Sequence, residues 1–176
     1  MALENTTIQT KLTEVFGTDV SNFRMEHDIF TFDANAATIK DVVSLMHKNE
    51  ELNFNFLTDL CGVHYPSNEK DSQFAVVYLL HNWIENIRVR IKVYLDGQKP
   101  EVFTVTDIFK AANWMERETY DFFGIKFTGH PNLKRILNVD SMTSHPMRKE
   151  YPLEDAGRTD KDDRFFGRTP HNYQPK

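Results

Sequence analysis

The stretch Phe74–Leu95, FAVVYLLHNWIENIRVRIKVYL, decides the fold. In its second half Ile87, Val89, Ile91, Val93 and Leu95 alternate with Arg88, Arg90, Lys92 and Tyr94. Successive side chains of a strand point to opposite faces, so this segment has one buried and one polar face. In its first half Phe74–Leu80 is a nearly continuous apolar run, the pattern of a central strand. The gap His81–Glu85 between them is of hairpin length, so the two strands are expected to pair antiparallel.

Upstream, Ile8, Leu12, Val15 and Phe16 recur at helical spacing and Gly17 supplies a stop. Phe23–Phe32 reads as one strand and Asp33–Ala37 as a connector. Ile39, Val42, Val43 and Met46 mark one face of a second helix ending near Asn49. Phe54, Phe56, Leu57 and Leu60 suggest a strand that breaks at Cys61–Gly62, before the polar turn Tyr65–Asp71. Downstream, Asp96–Gly97 is a turn and Val102–Val105 a short last strand. Thr106 suits a helix N-cap and Asp107 the first turn. Ile108, Ala112, Met115, Thr119 and Phe122 then form one buried stripe that Gly124 ends. The expected fold is α+β over residues 1–127, a mostly antiparallel sheet with helices packed on it. Residues 128–176, with charges dominant and four of the seven prolines beyond 138, are expected to form an extended C-terminal docking arm.

Composition limits the function. Hydrophobic residues are 40% of the 176 and Phe occurs 14 times, enough for a core. A net charge of -5 argues against a nucleic-acid binder, which should be strongly basic. The longest apolar run, Phe74–Leu80, is far shorter than the ~20 residues a transmembrane helix needs. The N-terminus MALENTTIQTKL lacks the basic and apolar regions of a secretory signal. The expectation is a cytoplasmic protein, held by other proteins if it acts at a membrane. The single Cys61 excludes an intramolecular disulfide and a multi-cysteine metal site, and reads as a buried structural thiol.

The chemistry-bearing residues gather in Glu116–Leu153, ERETYDFFGIKFTGHPNLKRILNVDSMTSHPMRKEYPL. Arg117 and Asp121 are four apart on a helix and are expected to pair on a solvated or interface face. Glu116, Glu118 and Asp121 resemble paired general acids and bases, but that role needs a cleft and shifted pKa values. His130, His145, Glu150 and His171 lack metal-ligand spacing. His130-Pro131 and His145-Pro146 read as turns. No phosphate loop or nucleophile elbow occurs. Arg135, Arg148, Lys149, Arg158, Arg164 and Arg168, interleaved with Tyr151, Phe165 and Phe166, have the composition of a protein interface.

The run from Glu116 to Leu137, followed by His145-Pro-Met-Arg-Lys-Glu-Tyr-Pro-Leu153, resembles the C subunit, or thirty-kilodalton subunit, of respiratory complex I, the proton-pumping NADH:quinone oxidoreductase. Ser144 departs from it, where the family usually has Gly before His-Pro. The resemblance makes Glu116, Arg117, Glu118, Asp121, Gly124, His130, Pro131, Arg135, His145, Pro146, Arg148, Lys149 and Pro152 the signature positions, which we read as folding and docking residues. It implies a scaffold with no catalytic residue and no cofactor of its own; NADH, FMN, iron–sulfur clusters and quinone belong to other subunits. It implies docking chiefly to the quinone-site subunit (the D subunit), and also to the B and I subunits. It places the chain peripherally on the cytoplasmic side of the bacterial inner membrane. The equivalent component of a membrane-bound hydrogenase or another donor-linked quinone reductase fits the same motif. A free-standing enzyme would instead require a pocket around Glu118 and His130.

Overall fold

The computed structural model describes residues 3–151. Its elements are α1 (Asn5–Phe16), β1 (Val20–Glu26), β2 (Ile29–Ala34), α2 (Ile39–Lys48), β3 (Phe56–His64), β4 (Phe74–Asn82), β5 (Ile87–Leu95), β6 (Glu101–Phe103), α3 (Ala112–Phe123) and β7 (Lys126–Thr128). The main sheet has the order β1-β2-β5-β4-β3. Every neighbouring pair in it is antiparallel except β2 with β5. The α+β reading with a mostly antiparallel sheet therefore holds.

The alternation in β5 does what its period requires. Tyr78 faces Ile91, Val76 faces Val93 and Leu80 faces Val89, and all are buried. Ile8 and Leu12 of α1 and Ile39, Val42, Val43 and Met46 of α2 join this core. The polar face is built as an ion-paired surface. Lys92 Nζ donates to both Glu26 carboxylate oxygens at 2.9 Å, and Arg24 pairs with Asp33 at 3.2 Å.

Four local expectations need correction. Phe23–Phe32 is two strands, because His27 and Asp28 turn the chain with φ of 51° and 60°. Both residues are then in the left-handed region that a tight primed hairpin turn demands. Val102–Val105 is not the last strand: β6 pairs in parallel with β7 as a separate small sheet. α3 begins at Ala112 rather than near Thr106, because the Glu116 carboxylate takes the Val105 N–H and folds the intervening turns back onto the helix. Lastly, β3 does not break at Cys61–Gly62, and Cys61 is exposed on it.

Gly62 has a different role. Its missing Cβ would lie 2.7 Å from Phe123 Cδ2 and 2.9 Å from Thr119 Cγ2. Gly62 thus lets α3 lie close on β3, and the apolar pattern breaks there because a side chain would hold the helix off. Gly62→Val is expected to lower stability by about 1–3 kcal/mol through overpacking. Urea denaturation of the purified chain reads this out; an unchanged midpoint would show that α3 can shift freely.

Candidate functional site

The charged residues of the signature stretch meet along α3 and the irregular strip that follows β7. Gly124 ends α3 with φ 74° and its N–H bonds the Tyr120 carbonyl. A side chain there would also strike Arg148 Nη2 and His145 Cδ2, both 2.6 Å from the missing Cβ. Backbone and packing thus both require glycine at this corner. The chain then doubles back, and residues 130–151 lie against the helix they left.

Asp121 organises that return. Its carboxylate is fully buried. Oδ2 accepts the backbone N–H groups of Ile136, Leu137 and Asn138 at 3.1, 2.9 and 2.9 Å. Oδ1 accepts Arg135 Nη1 at 2.7 Å and Asn138 Nδ2 at 3.2 Å. Burial alone would raise its pKa, but the three amides and the guanidinium reverse this and hold it far below the usual carboxylate range. Asp121 therefore pairs with Arg135, not with Arg117, and it faces inward rather than to solvent.

The cations bind backbone. Arg117 donates to the carbonyls of Lys134 (3.2 Å) and Arg135 (3.1 Å), with its guanidinium over the Trp114 ring. Arg135 Nη2 donates to the carbonyls of Met142 (2.7 Å) and Ser144 (2.9 Å). His145 Nδ1 donates to the Asp121 carbonyl at 2.9 Å, and Arg148 Nε to that of Phe123 at 2.8 Å. Carbonyl groups left open at a helix C-terminus accept such donors readily. His130 donates from Nε2 to the Asn113 carbonyl and accepts the Asn132 N–H at Nδ1. The structure thus brings Arg117, Asp121, Gly124, His130, Arg135, His145 and Arg148 into one continuous set of contacts.

Glu116 stands apart from that set, on the side of α3 that faces β6. It is fully buried, accepting Thr104 Oγ1 at 2.6 Å and the Val105 N–H at 2.8 Å. Burial raises its pKa to about 7 against the two hydrogen bonds. The hydroxyl of fully buried Tyr78 has no hydrogen-bond partner among the described residues. Burial, followed by the charge of Glu116, pushes its phenol well above the usual range. Glu118, Pro131 and Lys149 are exposed, Pro146 is half-buried, and Pro152 lies outside the described residues. Arg158, Arg164, Phe165, Phe166 and Arg168 also lie outside them.

This arrangement fixes the backbone of the strip. No group of three or more His, Cys, Asp or Glu that could hold a metal occurs among the described residues. An open groove of about 570 Å³ beside the strip is lined by Thr106, Asp107, Lys110, Asn113, Trp114, Gly129 and Pro131, without Glu118 or His130. Sequence reasoning missed His64, whose Nδ1 accepts the Lys149 N–H at 2.9 Å across 85 positions. It also missed Thr104 and Asn138. None of the three carries a local signal, since each acts through a partner distant in sequence.

Asp121→Ala is expected to cost about 3–5 kcal/mol, because it leaves the Arg135 charge and three amides without their acceptor. Urea titration of the purified chain measures it, and a loss under ~1 kcal/mol would contradict the buried geometry. Glu116 gives a pH signature of opposite sign. Its raised pKa means that its stabilising contribution is complete below the ordinary 4.5 and is lost as pH rises toward about 7. Glu116→Gln is expected to remove roughly 3 kcal/mol of that pH-dependent loss, read from melting curves between those two values. A variant that keeps the wild-type slope would contradict this assignment.

Comparison with known proteins follows the same strip and sheet. Residues 32–157 match the family model described as respiratory-chain NADH dehydrogenase, 30 Kd subunit. The C 2 subunit of NADH-quinone oxidoreductase from Rhizobium meliloti (strain 1021) is 39% identical over 161 residues, 91% of this chain and 85% of that protein. The C subunit of the same oxidoreductase from Roseiflexus sp. (strain RS-1) is 37% identical, covering 97% of this chain and 98% of its own. Among solved structures, a trypsin-resistant fragment of Nqo5 matches with a TM-score of 0.58 and 30% identity, covering 72% of this chain and 98% of that one. A chain of the membrane-bound sulfane sulfur reductase, an archaeal respiratory membrane complex, matches with a TM-score of 0.68 and 25% identity over 83% of this chain and 84% of that one. The family match spans well over half of the sequence, and with it the helix, corner and strip just described: the chain belongs to the family of the 30-kilodalton subunit of the respiratory-chain NADH dehydrogenase.

Proposed function

We propose that this chain is a non-catalytic scaffold subunit of the peripheral arm of proton-pumping NADH:quinone oxidoreductase. It supports electron transfer from NADH to quinone without binding a cofactor. NADH, FMN, iron–sulfur clusters and quinone are held by other subunits, and the chain docks chiefly on the quinone-site (D) subunit and also on the B and I subunits. It sits on the cytoplasmic side of the bacterial inner membrane, attached through its partners. No helix among the described residues is long and apolar enough to cross a membrane.

The observation that carries this reading is the division of labour within the strip. Asp121, Arg117, Arg135, His145 and Arg148 are engaged with the strip's own backbone and the end of α3. Among the outward side chains, beside polar ones such as Lys134 and Asp140, are large apolar groups: Leu137 is 67% exposed and Val139 68%. Polar groups turned inward to fix the backbone, with apolar side chains turned outward on it, make a rigid docking surface rather than a reaction site.

A second reading is the equivalent component of a related donor-linked membrane complex. The likeness to a chain of the archaeal sulfane sulfur reductase complex favours it. Affinity purification from gently solubilised membranes separates the two. Co-purification with NADH-oxidising activity supports the first; a complex that oxidises another donor and not NADH supports the second. Recovery of the chain alone, as an active monomer, would overturn both.

The double substitution Leu137→Asp and Val139→Asp is expected to lower recovery of the assembled complex by about tenfold or more, by burying charge in an apolar contact. The melting temperature of the isolated chain should stay within a few degrees of the wild type, since both positions are exposed. Full assembly of this variant would remove Leu137 and Val139 from the docking surface.

A further inference from the structure

The far end of the strip is tied to the sheet by an imidazole of β3 rather than by Asp121. Lys149 donates its backbone N–H to Nδ1 of His64, at 2.9 Å. His64 closes β3 and is only 7% exposed. Its ring stacks on Phe74, with centroids 4.5 Å apart and planes 10° from parallel. The same Phe74 ring carries the Arg148 guanidinium, 4.9 Å from its centroid. Nearby, Met147 N–H bonds the Phe122 carbonyl and Tyr151 N–H that of Arg148.

Unlike Asp121 or the arginines, an imidazole nitrogen accepts a hydrogen bond only while it lacks a proton. The Lys149 N–H therefore fixes His64 as neutral, with its proton on Nε2. A second proton has only Nδ1 to occupy, and there it would face a backbone donor at contact distance. The ring cannot swing away without losing its stack on Phe74.

We propose that His64 is a proton-released latch: its neutral ring pins the end of the strip, and a proton gained at Nδ1 lets residues 147–151 lift from the sheet. The charged groups that face it are all on the strip. Arg148 and Lys149 oppose its protonation and Glu150 favours it. β4 presents Phe74 to it, and α3 approaches β3 through Thr119 and Phe123 at Gly62, none of them titratable. Burial, the largest influence, holds its pKa below the ordinary histidine value. The latch thus stays closed at neutral pH and opens under acidification. That its release would alter docking rests on the function proposed above; the latch itself does not.

Amide hydrogen exchange on the full, isolated chain tests it. As pH falls from about 7.5 to about 5, the Lys149 amide should lose about tenfold of its protection factor relative to Ile91 in β5. The His64 ring nitrogen resonances should titrate over the same interval. His64→Asn places an amide oxygen near the Nδ1 position at every pH and should abolish the pH dependence. If that variant does not fold, the wild-type series decides alone. Constant Lys149 protection while the His64 resonances titrate would overturn the latch, and so would a loss that the Asn variant shares. A failure of docking in membranes, with this exchange behaviour intact, would overturn the scaffold reading only.

Discussion

The buried carboxylate of Asp121 is the interaction on which the rest of the strip depends. A segment with no helical or strand period must find partners for its backbone groups elsewhere. Here one side chain supplies an acceptor for three successive amides, and the Arg135 it holds caps two further carbonyls. Removing a charge from water is costly unless every lone pair is met by a donor. Asp121 meets that condition with five donors from four residues, so its charge becomes a fixed point for the fold. Glu116, one turn earlier, has two donors and no cation among its hydrogen-bond partners, and its pKa moves in the opposite direction. The two acids share a helix and differ in what surrounds them.

The same geometry explains why a motif rich in acids, arginines and histidines need not be a reaction centre. Catalytic groups must keep a free valence toward a ligand. The arginines of the strip instead donate to main-chain carbonyls, and His130 and His145 do likewise. Gly62 and Gly124 belong to this construction, one letting α3 lie close on the sheet and the other letting Arg148 and His145 close over its end. The strip is therefore continuous with the sheet through α3, and a partner bound to Leu137 and Val139 would be coupled to the core.

Much of the sheet was legible because its signals are local. The alternation of Ile87–Leu95 and the apolar run from Phe74 specify two strands and their antiparallel pairing without outside help. Turn chemistry was less so: His27-Asp28 lacks the Asn-Gly or Asp-Gly signature, and the β1–β2 hairpin passed as one strand. The parallel pairing of β2 with β5, and of β6 with β7, joins segments far apart in sequence, and no period records it. The site was hard to read for a related reason. A four-residue spacing suggests an Arg117–Asp121 pair, but the preferred partner lies fourteen residues on, reached only when the chain doubles back. Burial of Glu116 and Asp121 contradicts their polarity and becomes intelligible once their donors are located. The resemblance of the signature run supplied the family where periodicity could not.

Native-state hydrogen exchange at Ile136, Leu137 and Asn138 in the isolated chain addresses the central claim most directly. If the Asp121 carboxylate shapes the strip, these three amides exchange only through large openings, with protection approaching that of β5 despite their position in irregular backbone. Rapid exchange at all three, with the sheet still protected, would mean that the strip takes its form only from a partner, and would contradict the organising role of Asp121.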